Sequence, residues 1–205
     1  MALIDICAHA QGTVGAMTMT SELHPQDDHQ AIPHGIDKPI VLVGMMGSGK
    51  SSVGKRLAAR LGLTFHDADD EIEAAAGMSI AEIFQRYGEP YFRDGERRVI
   101  ARLLDSGASV LATGGGAFAQ EATRAIIKER GISIWLDVPV PILVERVARR
   151  SHRPLLHNRD PQEAITELLD KRRPAYAEAD FRITSDSTPH ARAVDLIISV
   201  LKDHM

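Results

Sequence analysis

The densest chemistry in the chain lies in one short run, Gly44-Met45-Met46-Gly47-Ser48-Gly49-Lys50-Ser51, which matches GxxxxGK[S/T] at every fixed position. Its glycines open backbone conformations closed to other residues, so successive N–H groups can turn inward onto phosphate oxygens. A helix starting near Gly49 adds its N-terminal dipole and free N–H groups. Gly47, Ser48, Gly49 and Ser52 then line the phosphates of a nucleotide, Lys50 reaches the β- and γ-phosphates, and the Ser51 hydroxyl ligates Mg2+. The context agrees: an apolar strand-like run precedes the loop, and Val53, Leu57 and Leu61 follow at helical spacing.

Such a loop holds phosphate without saying what is done with it. The next strand-like run ends Phe65-His66-Asp67-Ala68-Asp69-Asp70. The carboxyl end of a strand in an open α/β sheet faces the ligand crevice. Asp67 and Asp69 can both point there, one toward a magnesium water shell and the other toward a substrate hydroxyl. Asp70 and Glu71 read instead as caps for the helix that follows. Thr113-Gly114-Gly115-Gly116 follows a third strand-like run, and its glycines let backbone approach a ligand closely. The run ISIWLD ends in Asp137 and imitates a magnesium-binding strand, yet Asp137 reads as a structural residue at the strand end. Arg93, Arg153, Arg172 and Arg173 carry planar forks suited to carboxylate and phosphate. Arginines converging on a phosphate loop suggest an anionic acceptor.

The elements that must position these groups alternate along the chain. Strands are expected at 39–44, 63–66, 109–113, 132–137 and 181–184. Helices are expected at 49–61, 95–104, 121–129, 141–150 and 162–179. A last helix is marked by Val194, Ile197, Ile198 and Leu201. Such alternation predicts a mostly parallel sheet covered by helices on both faces. Two stretches break it: a helical insertion at about 69–95 and a polar, turn-rich stretch at about 150–161, the places for a substrate-binding subdomain and a lid. Residues 1–37 are polar and aperiodic and read as a flexible extension ahead of a single domain at 38–205.

Composition bounds the rest. The 205 residues suit one α/β domain, and a net charge of −4 without a basic block gives no argument for nucleic acid. One cysteine excludes an intramolecular disulfide or a multi-cysteine zinc site. No apolar run approaches the roughly 20 residues that span a bilayer, and the start lacks a signal-peptide pattern, so a cytoplasmic protein without membrane partners is expected.

Together GMMGSGKS, the acidic DADD turn, YFRDGE, TGGG, RPLL and KRRPAY, in that order, resemble the shikimate kinases, from about Pro39 to the C-terminus. The resemblance implies a P-loop fold with a five-stranded parallel sheet, a substrate-binding insertion and a lid. It implies ATP-dependent phosphorylation of the 3-hydroxyl of shikimate, on the route to chorismate and the aromatic amino acids, by a monomer using one Mg2+. Carried over by position, Ser51 and Asp67 hold the magnesium, and Asp69 binds shikimate hydroxyls and is the candidate base. Arg93 and Arg172 grip its carboxylate, with Glu96 orienting Arg93, and Gly115 and Gly116 complete the pocket. Lys50 and Arg153 neutralise the transferring phosphate, Arg153 descending with the lid. Arg146 packs on adenine, with Arg149 and Arg150 as near alternatives, and 185–188 wraps the base. Two other readings remain open: another small-molecule kinase, such as a gluconokinase, and a regulatory module that uses a nucleotide as a switch.

Overall fold

The computed structural model describes residues 36–149, 160–185 and 190–203. Among them the order is β1 (Ile40–Val43), α1 (Lys50–Leu61), β2 (Thr64–Asp67), α2 (Ala68–Ala76), α3 (Ile80–Leu104), β3 (Ser109–Ala112), a 3-10 turn (Ala117–Ala119), α4 (Glu121–Arg130), β4 (Ile132–Asp137), α5 (Val140–Ala148), α6 (Pro161–Tyr176), β5 (Phe181–Thr184) and α7 (His190–Asp203). All strand pairs are parallel, in the order β2-β3-β1-β4-β5. The alternating pattern of the sequence is thus a doubly covered sheet, as expected.

Because side chains alternate across a strand, β1 feeds two cores. Ile40 and Leu42 pack with Val53, Leu57 and Leu61 of α1 and with α7, whose Val194, Ile197, Ile198 and Leu201 are all buried. Val41 and Val43 face the other side, among Ile100 and Leu104 of α3, Ile127 of α4, Leu143 of α5 and Leu169 of α6. Strands buried on both faces read as unbroken apolar runs, which is how β1 stood out. Packed chain reaches back to Ile36, buried in the α1–α7 core.

Two local expectations are corrected. The helix expected to start at Gly95 starts earlier: the α3 span Ile80–Leu104 is two helical runs divided at Gly88, whose backbone (φ 78°, ψ 174°) is not helical, and the second run begins beside Pro90. Gly95 is therefore mid-helix, and Arg93 and Glu96 share one helical face a turn apart. The cap of α2 is neither Asp70 nor Glu71 but Asp67, whose Oδ1 accepts the Asp69 N–H at 3.1 Å. Asp70 and Glu71 fall in the first turn, where negative charge suits the helix dipole.

Candidate active site

The strand order decides where the site lies. β1 is flanked by β3 and β4, and Leu42 stands level with Ala112, which in turn stands level with Asp67. The carboxyl ends of β1, β2 and β3 therefore share one edge, beneath a cleft of about 1280 Å³. Three peptides leave that edge: the phosphate loop, the acidic turn and the 113–116 loop.

The phosphate loop needs its glycines for different reasons. Gly44, Gly47 and Gly49 all have positive φ (134°, 82° and 92°). A Cβ on Gly44 would come 2.7 Å from the Leu136 carbonyl oxygen, and one on Gly47 would come 3.0 Å from Val147 of α5. Lys50 is buried, and its Nζ donates to the Gly44 and Met45 carbonyls, both at 2.9 Å. Its ammonium is thus held over the cradle that the loop amides form. Ser51 lies in the first turn of α1, and its hydroxyl donates to Asp67 Oδ2 at 2.6 Å. Asp67 is thereby shared between the phosphate loop and the cap of α2. Ser48 is buried, Ser52 lines the cleft, and Arg146 of α5 donates to the Gly47 carbonyl at 3.4 Å.

The opposite wall is built from charge. Arg93 donates to Glu96 Oε2 at 2.7 Å and to Glu89 Oε1 at 3.1 Å. Glu96 is only 1% exposed, and its Oε1 has no partner among the described residues. Burial pushes its carboxyl above the usual range; Arg93 opposes this, and the nearby Asp69 adds to it. A Cβ on Gly114 would lie 2.9 Å from both Asp69 Oδ1 and Glu96 Oε1. A Cβ on Gly116 would lie 2.6 Å from Arg93 Nη2. The glycines thus make room for side chains as much as for ligand. Arg172 of α6 donates to the Gly115 carbonyl at 3.0 Å, while Arg173 faces solvent. Tyr176, fully buried against Trp135, donates its hydroxyl to the same carbonyl. Burial raises the Tyr176 pKa, so the phenol stays protonated as a donor.

Of the residues singled out in the sequence, Lys50, Ser51, Asp67, Asp69, Arg93, Glu96, Gly115, Gly116, Arg146 and Arg172 line this single cleft. Arg149 lines it too, paired with Glu145 at 2.6 Å. Arg150 and Arg153 lie outside the described residues, as do most of the expected lid and 186–188; Asp160 and Pro161 begin α6. Asp137 is turned away from the cleft and accepts from Arg182 Nε at 3.0 Å, which is the structural role expected of it. Three participants have roles that the sequence did not assign, although Gly114 and Met45 stand within motifs read from it. Gly114 leaves space for two carboxylates, Met45 places its sulfur 3.7 Å from the Tyr176 hydroxyl, and His190 stands against Gly49.

Comparison with known proteins agrees with this geometry. A family profile described as "Shikimate kinase" matches residues 46–202. A shikimate kinase of Rhodopseudomonas palustris is 56% identical over 169 residues, covering 82% of this chain and 83% of its own. One from Caulobacter vibrioides is 58% identical over 165 residues, covering 80% and 82%. Among solved structures, shikimate kinase from Acinetobacter baumannii in complex with shikimate superposes with a TM-score of 0.78 at 39% identity, over 82% of this chain and 94% of that one. A gluconokinase from Sinorhizobium meliloti shares the fold at a TM-score of 0.52 and only 18% identity. With a phosphate loop facing a glycine-rich loop, two arginines and a buried glutamate, and with relatives this similar along most of its length, the chain belongs to the shikimate kinase family.

Proposed function

We propose that this cleft transfers the γ-phosphoryl group of ATP to the 3-hydroxyl of shikimate, giving shikimate 3-phosphate and ADP on the route to chorismate. The observation that carries the reading is the pairing of walls within one cleft. Lys50 and the loop amides face a site where Arg93 and Arg172 flank the 114–116 loop. One wall suits a polyphosphate; the other suits a carboxylate bearing hydroxyls. The same opposition argues against a nucleotide switch, which has no use for a second anion site.

The chemistry divides along that line. The loop amides and Lys50 hold the β- and γ-phosphates and stabilise charge as the bond from γ-phosphorus to the bridging oxygen breaks. Arg93 and Arg172 bind the acceptor carboxylate, and Asp69 aligns the hydroxyl whose oxygen attacks phosphorus and receives its proton. Asp69 need not be a strong base, because the transition state is loose. Ser51 and Asp67 give an oxygen-only pair at the mouth of the phosphate loop, which fits Mg2+, a cation that takes few protein carboxylates alongside phosphate oxygens. When bound, Mg2+ neutralises phosphate charge. Arg153 is proposed to add positive charge at the transferring group, Arg146 to pack on adenine, and the enzyme to work as a monomer.

Shikimate-dependent release of ADP, followed by a coupled assay, tests the reading. Turnover of gluconate without turnover of shikimate would overturn it, and nucleotide hydrolysis indifferent to both acids would favour the switch.

A further inference from the structure

His190 begins α7, yet its ring belongs to the nucleotide side of the cleft. A methyl group placed on Gly49 would come 3.1 Å from the imidazole Cε1 and 3.5 Å from Nδ1. Gly49 caps α1 just before Lys50, so the ring forms the outer wall of the phosphate cradle where the nucleotide must leave it. Arg146, tied to the Gly47 carbonyl, lines the same cleft. The Nδ1 atom is buried and has no hydrogen-bond partner among the described residues. A buried polar atom left without a partner at the rim of a ligand site is unfavourable unless the ligand satisfies it.

We propose that His190 is a nucleotide-binding residue, its Nδ1 sharing a hydrogen bond with the nucleoside portion of ATP beyond the phosphate loop. The inference rests on the nucleotide site described above. The phosphates already have the loop amides and Lys50, which leaves the nucleoside as the partner at this height. Burial, and then the positive charges of Arg146 and Arg56, lower the His190 pKa. The ring is therefore neutral near pH 7, suited to an uncharged sugar hydroxyl or purine edge.

The test is ADP affinity by calorimetry, with steady-state kinetics, for the full chain and three variants. His190→Phe keeps the wall and removes the nitrogen; it should weaken ADP binding and raise the ATP KM about fivefold. Its kcat and shikimate KM should stay within about twofold of the parent, since a peripheral hydrogen bond is equal in ground and transition states. His190→Asn places a polar atom near Nδ1 and should recover most of the loss, whereas His190→Gln, reaching toward Nε2, should not. Unchanged ADP affinity in His190→Phe, or equal affinities in the Asn and Gln variants, would overturn the inference. If His190→Phe does not fold, the Asn–Gln comparison decides alone. A parent protein that fails to bind ADP would remove the nucleotide reading as well, so the two failures are distinct.

Discussion

On the nucleotide wall the key cation is tied to its own loop, Lys50 bonding carbonyls five and six residues back. On the acceptor wall Arg172 reaches a carbonyl 57 residues back, and Arg93 is steadied by a glutamate that is itself almost wholly buried. One wall is backbone geometry fixed by glycines at positive φ; the other is side-chain charge collected from α2, α3 and α6 around the uncharged 113–116 loop. A backbone cradle is rigid and local, so it should fail through strain or loss of one cation. A charge cluster is long-range and mutually dependent, so each removal should disturb its neighbours.

The largest break in that comparison is Lys50→Met. It removes charge from the transferring phosphate, and kcat should fall at least about a hundredfold with the melting temperature little changed. Arg93→Ala attacks the other wall. Truncating one partner of a desolvated charge pair costs about 2–5 kcal/mol, so shikimate KM should rise about thirtyfold or more while ATP KM moves less than about twofold. It also strands Glu96 in the interior and should lower the melting temperature. Adding Glu96→Gln to Arg93→Ala should restore stability without restoring shikimate binding. A double variant that regains shikimate affinity would show that Arg93 acts through folding rather than by gripping the carboxylate.

The same contrast explains what could be read from the sequence. The phosphate loop was legible because its partners lie within eight residues and their spacing is the motif. The β1 and α7 cores were legible because Ile40–Val43 and Val194, Ile197, Ile198 and Leu201 announce their burial by period. The acceptor wall was legible from residue types only as an anion site, and its individual roles came through resemblance, since no local spacing brings Arg93 to Gly116 or Arg172 to Gly115. Its supports stayed hidden for the same reason. The cap of α2 fell to Asp67 rather than Asp70 because Asp67 ends β2 in extended conformation (φ −105°, ψ 120°), the geometry a cap requires. The early start of the second run of α3 was missed because it follows the break at Gly88 and opens beside Pro90, a residue that suits the first turn of a helix, rather than at Gly95.

Glycine substitutions sharpen the comparison at smaller scale. Gly44→Ala forces an alanine to φ 134° with its Cβ 2.7 Å from a main-chain oxygen that cannot swing aside. Loss of stability above about 1 kcal/mol is expected, read as a lower melting temperature. Gly116→Ala instead meets the flexible end of Arg93, and Gly116 has an ordinary φ of −101°. There the fold should survive while shikimate KM rises several-fold and ATP KM holds. If Gly116→Ala proved the more destabilising of the two, the 113–116 loop would have to be as rigid as the phosphate loop.

The smallest effect is also the most specific, because it reads the acceptor wall's electrostatics without ligand. Glu96 is held above the usual carboxylate range, chiefly by burial and further by Asp69, with Arg93 offsetting only part of this. A carboxyl whose folded pKa exceeds its unfolded value binds its proton more tightly in the folded state. It therefore adds stability at low pH that is lost as pH rises from about 4.3, the unfolded value, through the raised folded one. Glu96→Gln cannot titrate, so the melting temperature of the parent minus that of this variant should fall across that window and level off above it. Asp69→Asn removes one of the charges that disfavours ionised Glu96, so the leveling point should move to lower pH in that background. A difference curve that rises with pH would mean that Arg93 outweighs burial and that Glu96 is ionised throughout. The acceptor wall would then be a simple ion pair, with no strained carboxylate waiting for the substrate's hydroxyls to satisfy it.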